Sequence, residues 1–422
     1  MSGAPASTVE RAVADAHRRE WAFVLAATAR VARDLDVAEE CVQDAYLAAL
    51  DAWTRDGVPR KPGAWLTTTA KRKALDALRR EQTLQAKLPL LVEPDETDPD
   101  DDPDGDVVPD DRLRLIFTCC HPALAREAQV ALTLRLVCGV ATGDIAHAFL
   151  VSETTMAARI TRAKKKISGA RIAYRVPEAS ELPERLDAVL TVIHLLYTTG
   201  HTAPSGVRLV RGDLVERALD LARMLRVLMP DEPEVGGLLA LLLVTDARRL
   251  SRTDDDGRLV LLQDQDRSTW DRAAIDEGQR LVVAALRAGR PGRFVLQAAI
   301  AALHAVAPSY AETDWPQVLA LYDALLAVWP SPVVALNRAA AVSMARGPDA
   351  ALDEVEALER DGRLSGYRYL PAIKADLLRR LGRDAEAAEG YRAAIALAEN
   401  EAEREFLLGR LADVEFGDPG SS

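Results

Sequence analysis

The sequence predicts an all-α fold in three parts. Two small helical domains, the second containing a helix-turn-helix, are joined by an acidic linker and followed by an α-solenoid of TPR-like helical hairpins. Helices are predicted rather than sheets because aromatic residues make up only 5% of the 422 residues, while Ala and Leu dominate. Several domains are predicted because a chain of this length corresponds to about two to four units of about 150 residues.

The first predicted domain covers residues 11–82 and contains an amphipathic helix in the stretch DVAEECVQDAYLAALDAW. Asp36 is the expected N-cap, and Glu39 completes a capping-box-like pair. The stripe predicted to be buried consists of Ala38, Val42, Ala45, Ala49 and Trp53. The polar residues off this stripe are Glu39, Glu40, Gln43 and Asp44. They form either a solvated face or an acidic docking surface for a basic partner.

A basic loop and helix follow. Between Arg55 and Gln82 there are eight Lys and Arg against three Asp and Glu, in a chain of formal net charge −12. The expected buried stripe is Leu66, Ala70, Ala74, Ala77 and Leu78. The candidate nucleic-acid contacts are Arg60, Lys61, Trp65, Thr68, Lys71, Arg72, Lys73, Arg79 and Arg80. Basic side chains beside an aromatic ring suit melting nucleic acid, because charge follows the backbone and a ring can stack on a base. A helix with a solvated basic face is the alternative.

Residues 83–110 are predicted to be a disordered linker. From Glu93 to Asp111 there are eleven acidic residues and no Lys or Arg, and four prolines interrupt the same stretch. Charge repulsion with little apolar material favours an extended, unfolded connector.

The second predicted domain covers residues 111–175, and its helix-turn-helix lies between Ala141 and Ala173. Thr142 is expected to cap the first helix and Ser152 the second, after a tight turn. The predicted buried side of the second helix consists of Met156, Ile160, Ala163 and Ile167. The candidate DNA contacts are Ser152, Thr154, Thr155, Arg159, Arg162, Lys165 and Lys166. Seven positive residues and no acid lie between Arg159 and Arg175, a run that by itself also suits a solubilising face. The preceding short helix, the tight turn and the Ser152 cap favour DNA reading, so this helix is predicted to enter the major groove of duplex DNA.

The sequence predicts no metal, no cofactor and no membrane span. Cys119, Cys120 and His121 are adjacent and cannot readily chelate one ion, because neighbouring helical residues point about 100° apart. The four cysteines are expected to be reduced. No apolar run reaches about 18 residues, so we expect a cytoplasmic protein.

Residues 181–416 are predicted to be a run of helical hairpins, with two TPR-type units at 330–358 and 369–398. Such a solenoid offers a concave face for a peptide or another domain. Residues 253–271 break the helical pattern and are rich in Asp. They are interpreted as a hairpin or structured loop rather than an enzyme site, because no His or Cys completes a catalytic set.

Three segments now carry a family resemblance. DVAEECVQDAYLAALDAW, PGAWLTTTAKRKALDALRRE and LVSETTMAARITRAKKKI are, in this order, similar to the conserved regions of extracytoplasmic-function sigma factors. The resemblance covers residues 11–170. The CCHPAL stretch and the long helical C-terminus resemble the subgroup with a TPR-like extension. The resemblance implies a promoter-specificity subunit of RNA polymerase that is not an enzyme.

By position, the resemblance implies roles for each segment. The polymerase-binding residues would be Asp36, Glu39, Glu40, Gln43 and Asp44. The loop and helix from Arg60 to Arg80 would read and melt the −10 element, and Thr155, Arg159 and Arg162 would read the −35 element. The linker would pass near the RNA exit path. The expected partners are core RNA polymerase, through its clamp and flap, and promoter DNA. An intramolecular contact between the extension and the sigma domains stays open.

Two other functions compete with this one. The first is a stand-alone helix-turn-helix regulator whose repeats bind a ligand or a protein, and the second is an enzyme in the C-terminal half. The basic melting helix favours the sigma factor over the regulator, since a repressor needs only duplex recognition. The lack of convergent catalytic residues disfavours the enzyme.

Overall fold

The computed structural model describes residues 8–87, 111–149, 151–201, 212–254, 258–398 and 400–416. The regular elements of these ranges are helices, with an isolated antiparallel bridge between Thr253 and Leu259. The all-α prediction is therefore confirmed. The chain divides into two compact units, Met1–Ile193 and His194–Ser422. Residues 88–110, predicted to be linker, lie outside the described residues.

Three long helices open the first unit, and each packs against the other two. They are α1 (Thr8–Ala32), α2 (Leu35–Asp56) and α3 (Pro62–Lys87). The predicted apolar stripe of α2 is buried throughout, from Ala38 to Trp53. Leu66, Ala70 and Ala74 of α3 are also buried, while the other two residues of its predicted stripe are half-buried. Because α3 continues to Lys87, residues 83–87 are helical and not part of a linker.

The N-cap of α2 is Asp34, so the prediction of Asp36 was wrong. The Asp34 carboxylate accepts the backbone N–H of Asp36 at 2.7 Å and that of Val37 at 3.0 Å. The helix starts earlier than expected because Arg33 adopts a left-handed conformation, with φ of 56°, directly after α1 ends. Glu39 does not complete a capping box. Its carboxylate instead forms ion pairs with Arg135 and Lys164, which lie outside α2.

A second group of short helices follows in the first unit. It consists of α4 (Asp111–Cys119), α5 (Arg126–Leu132), a π-helical segment (Thr133–Val137), α6 (Thr142–Ala148) and α7 (Glu153–Gly169). Ser152 is confirmed as the cap of α7, since its Oγ accepts the N–H of Thr155 at 3.2 Å. All four apolar residues predicted for the inner side of α7 are buried.

Thr142 was predicted to cap α6 but is its first helical residue. The N–H of Ile145 donates to the carbonyl of Ala141 at 3.1 Å, so the hydrogen-bond ladder starts one residue earlier. Gly139 ends the preceding segment with φ of 67°. A Cβ at that position would lie 2.9 Å from Cγ of Trp21, so both the backbone and the space require glycine.

Eleven α-helices follow in the described residues after α7. They are α8 (Leu182–His201), α9 (Gly212–Leu228), α10 (Pro233–Asp246), α11 (Arg272–Arg287), α12 (Arg293–Val306), α13 (Trp315–Val328), α14 (Pro332–Ala345), α15 (Pro348–Asp361), α16 (Tyr369–Arg380), α17 (Asp384–Leu397) and α18 (Glu401–Phe416). The division between the two units falls inside α8. From α9 onward each helix packs against the next, as expected for stacked hairpins. The predicted TPR-type units correspond to α14–α15 and α16–α17.

Helices α10 and α12 cross closely in the second unit. At Gly237 a Cβ would lie 2.6 Å from the backbone nitrogen of Val295, so only glycine allows this approach. The segment after α10, predicted as a hairpin or structured loop, is irregular, and side-chain hydrogen bonds hold it in place. Trp270 is buried and its Nε1 donates to Oγ of Ser251 at 2.8 Å, while Arg267 Nη1 donates to the carbonyl of His304 at 2.6 Å.

Candidate nucleic-acid interface

Three of the nine predicted contacts of the first domain share one face of α3. Thr68, Arg72 and Arg79 lie within about 40° of one another around the helix axis, and all three are exposed. Six of the nine predicted residues are exposed, namely Arg60, Lys61, Thr68, Arg72, Arg79 and Arg80. This exposed set, called the α3 basic face below, includes Arg60 and Lys61 from the loop just before α3. It contains five cations and one hydroxyl, which suits contact with a phosphate backbone.

The other three predicted residues of this region are half-buried. The ring of Trp65 stands edge-on to the buried ring of Trp53, with centroids 5.7 Å apart. The ammonium of Lys73 lies 3.2 Å from the Asp44 carboxylate of α2. The orientation of the Trp65 ring is therefore fixed by its packing against Trp53. The charge of Lys73 is partly neutralised by its ion pair with Asp44.

The outer side of α7 carries the second set. Thr155, Arg162 and Lys166 are exposed, and Arg159 is half-buried on the same stripe. The remaining predicted contacts, Ser152, Thr154 and Lys165, are exposed as well. The Nε of Arg162 donates to the carbonyl of Ala158 at 3.2 Å, which holds the start of its guanidinium along the helix. We call this set the α7 outer face.

The inner side of α7 holds a buried cation that the sequence analysis missed. The Lys164 side chain is 8% exposed, and its ammonium lies 2.6 Å from Glu39 Oε2 and 2.8 Å from Asp36 Oδ1. Arg135, in the π-helical segment, also forms an ion pair with Glu39. Burial alone would lower the pKa of Lys164, but the hydrogen bonds and charges of the two carboxylates outweigh it and raise the pKa. Lys164 is thus a charged link between α7 and α2.

Further contacts join the two helical groups of the first unit. Trp21 of α1 donates from Nε1 to the carbonyl of Leu136 at 3.0 Å. The hydroxyl of Tyr174 donates to the carbonyl of Ala26 at 3.0 Å, and α1 packs on α4. The three-helix group and the helix-turn-helix group therefore form one packed body. We call the contact of Asp36 and Glu39 with Lys164 and Arg135 the α2–α7 latch.

Two of the five predicted polymerase-binding residues, Asp36 and Glu39, belong to the α2–α7 latch. Glu39 is buried, and Asp36 is exposed but bonded to Lys164. Glu40, Gln43 and Asp44 are exposed on α2. A helical projection of α7 could have indicated that Lys164 is buried, since it lies only about 40° from the buried Ile160. The surrounding run of basic residues obscures this indication, and no comparable pattern in the sequence marks Arg135.

The cysteine residues do not form a metal site in the part of the chain that the structure describes. Cys119 and Cys120 are fully buried, and burial raises the pKa of the Cys120 thiol to about 11, so the thiol stays protonated. No group of three or more His, Cys, Asp or Glu side chains could hold a metal ion among the described residues. Among those residues, no helix combines the length and apolar character needed to cross a membrane.

Three segments of the chain match known families. Residues 13–83 match the family described as Sigma-70 region 2, and residues 114–167 match Sigma-70, region 4. Residues 185–286 match a family of unknown function, DUF6596. The chain is also similar to an uncharacterized protein of Rhizobium meliloti (strain 1021), with 45% identity over 391 residues, covering 92% of each chain. The two sigma matches contain the α3 basic face and the α7 outer face, respectively.

Proposed function

Because the chain belongs to the sigma-70 family, as an extracytoplasmic-function-like sigma factor with a C-terminal helical extension, we propose that it binds core RNA polymerase and directs initiation at specific promoters under control of that extension. Sigma-70 proteins are non-enzymatic transcription factors that bind DNA in initiation. The observation that carries the proposal is the presence of two separate basic helix faces in one chain. The α3 basic face suits melted strands, and the α7 outer face suits duplex DNA.

Each segment has a role in this proposal. Residues 11–82 bind polymerase and open the −10 element, and residues 111–175 read the −35 element. The exposed residues Glu40, Gln43 and Asp44 make the first contact with the polymerase clamp, and residues of the helix-turn-helix group approach the flap. Their exposure supports this order of events, because an exposed side chain can be met by a partner before the fold changes.

The α2–α7 latch imposes a rearrangement on this function. Lys73 of α3 bonds to Asp44, and Lys164 of α7 bonds to Asp36, so both DNA-reading helices are attached to α2. These two acids are eight positions apart on one helix, which places the attachment points about 12 Å apart along its axis. Thr68 and Arg159 each lie five residues from the bonded lysine, which adds only about 8 Å at each end.

Promoter elements centred near −10 and −35 are much farther apart. About 25 base pairs at 3.4 Å each correspond to about 85 Å along the duplex. With the latch closed, the two faces cannot read both elements at once. We therefore propose that the helix-turn-helix group separates from α2 when the protein joins polymerase, and that this opening frees Asp36 and Glu39 to bind the clamp.

The proposal is tested by reconstitution of the full chain with core RNA polymerase. We expect a stable complex that melts a subset of genomic promoters, measured by permanganate reactivity of unpaired thymines. Omission of the protein should abolish melting at those promoters. A chain that binds promoter duplex but neither binds core nor supports melting would instead be a stand-alone regulator, and the proposal would be wrong.

A further inference from the structure

The second unit contains a cavity of about 740 Å³ whose walls come from α12, α13, α14, α16, α17 and α18. Leu261 and Leu262, in the irregular segment after α10, close part of the wall. Five aromatic rings form part of the apolar lining, contributed by Tyr310, Trp315, Tyr322, Tyr391 and Phe406. The volume lies within the range of about 300–1,000 Å³ that is typical of small-molecule sites. The cavity therefore has the size and the walls for a flat or apolar ligand body.

The charge of the lining is opposite to that of the surrounding unit. Residues 194–422 contain 35 Asp and Glu against 27 Lys and Arg, yet the cavity is lined by three arginines and one acid. That acid, Asp376, is already bonded to Arg379 at 2.9 Å. Arg380 is held by a hydrogen bond to Ser343 Oγ at 2.9 Å, and Arg410 lies 3.7 Å from Asp413. The cavity thus offers positive charge to a ligand within an acidic domain.

Four lining residues have a buried polar atom without a hydrogen-bond partner in the described part of the chain: Nδ1 of His304, Nε1 of Trp315, Nε of Arg379 and the hydroxyl of Tyr391. The rings of His304 and Trp315 meet edge to face with centroids 5.2 Å apart. Burial and the nearby charges of Arg248 and Arg267 lower the pKa of His304 to about 4, so its ring is neutral at physiological pH. Buried polar groups without partners are rare, and they suit a ligand that supplies the missing hydrogen bonds.

We propose that this cavity binds an organic anion, in which a carboxylate or similar group is attracted by Arg380 and Arg410 and an apolar body lies against the aromatic walls. A free small acid and the C-terminal carboxylate of a peptide share this chemistry. Binding itself does not depend on the sigma-factor function. Only the consequence, that occupancy changes promoter activity, rests on the proposed function.

The test uses the full-length chain and the fluorescent aryl sulfonate 1-anilinonaphthalene-8-sulfonate as the probe. We expect saturable binding at one site, weakened about tenfold or more by Arg380→Gln combined with Arg410→Gln. Arg404→Gln is the matched control, since Arg404 is exposed on α18 and does not line the cavity. Ala340→Trp provides a second variant, because Ala340 is an exposed lining residue whose enlargement fills the cavity without entering the core. Near-ultraviolet circular dichroism checks that each variant is folded.

Competition identifies the ligand class. An aryl carboxylate such as indole-3-acetate should displace the probe, while its neutral amide should compete about tenfold or more weakly. Displacement by a pentapeptide with a free C-terminus, but not by its amidated form, would assign the site to peptide ends; displacement by the small acid alone would assign it to free acids. The proposal would be overturned if the folded Ala340→Trp variant and the folded double arginine variant each bound the probe as tightly as the unmodified protein. Equal competition by the acid and its amide would also overturn it. None of these readouts involves polymerase, so their failure is distinguishable from failure of the sigma-factor function.

Discussion

At the residue scale, Arg159 and Arg162 are the side chains on which duplex recognition is proposed to depend. Both lie on the α7 outer face, which is turned by about 100° around the helix axis from the buried apolar side. We predict that Arg159→Ala and Arg162→Ala each weaken recognition of the −35 element by about 1–3 kcal/mol, the range for a base-edge contact. The measurement is the ratio of affinities of the reconstituted holoenzyme for a cognate and a scrambled −35 duplex.

Arg126→Ala is the control for these variants, since Arg126 is an exposed cation on α5 outside the predicted DNA contacts. It removes the same charge and should leave the ratio unchanged. If both α7 variants keep the selectivity of the unmodified protein, Arg159 and Arg162 do not read bases.

His194 gives a pH-dependent prediction in the second unit. Burial and the positive charge of Arg293 lower its pKa to about 4, whereas an unfolded histidine titrates near 6.5. Between these values the unfolded chain binds more protons, so the free energy of unfolding falls as pH decreases. We expect this residue alone to cost about 1–2 kcal/mol on going from about pH 7 to about pH 5. Urea unfolding at several pH values measures the effect.

His194→Gln removes the titrating group from the same position, where the imidazole stands edge-on to Phe294 at 5.6 Å. The variant should lose stability less steeply than the unmodified protein over the same pH range. Parallel pH dependences of the two proteins would show that His194 makes no contribution.

At the element scale, the α2–α7 latch decides whether the two DNA-binding faces can separate. Lys164→Met removes the buried cation, and Glu39 retains Arg135 as a partner. We predict that this change weakens the contact between α2 and α7 by about 1–3 kcal/mol, as for other buried charged hydrogen bonds that lose one partner. The separated state should become more populated, and core polymerase should bind more tightly because less work is needed to open the latch.

Spin labels at two exposed positions, Leu75→Cys on α3 and Ser168→Cys on α7, measure the separation directly. Arg126→Met in the same labelled background is the control for loss of one positive charge. A distance distribution in Lys164→Met that matches the unmodified protein, together with unchanged core affinity, would contradict the role of the latch.

The boundaries of the elements show the limit of local prediction. The cap at Ser152 was predicted correctly because its own side chain makes the capping hydrogen bond. The cap of α2 was misplaced because its position depends on how the chain leaves α1, through the left-handed Arg33. Helical periodicity indicates which residues share a face. It does not fix where a helix starts, because the first residue of a helix depends on how the chain leaves the preceding helix.

At the scale of the whole molecule, the extension is predicted to regulate rather than to hold the sigma domains together. We expect a chain truncated after Arg175 to remain folded, because α1–α7 bury their apolar residues against one another. The truncation removes a hydrogen bond from Arg185 to the carbonyl of Phe117, a loss of about 0.5–1.5 kcal/mol. Promoter activity should change, as measured by transcription with core polymerase.

Thermal unfolding of the truncated and full-length chains separates loss of fold from loss of regulation. A truncated chain that is folded and has unchanged activity on every promoter would leave the extension without a regulatory role. A truncated chain that fails to fold would show that the extension is needed for stability.

The sequence by itself determined the all-α class, the buried stripes, the two basic helices and the resemblance to sigma factors. These features depend on residue types and on spacings of three or four positions, which act within one helix. Only the tertiary structure decided that Glu39 and Lys164, 125 positions apart, form a buried ion pair. It also decided that residues of six helices line a cavity with a positive lining. A lysine in a basic run and a glutamate on an acidic face have the same local pattern whether solvated or paired, because pairing depends on which distant surfaces meet.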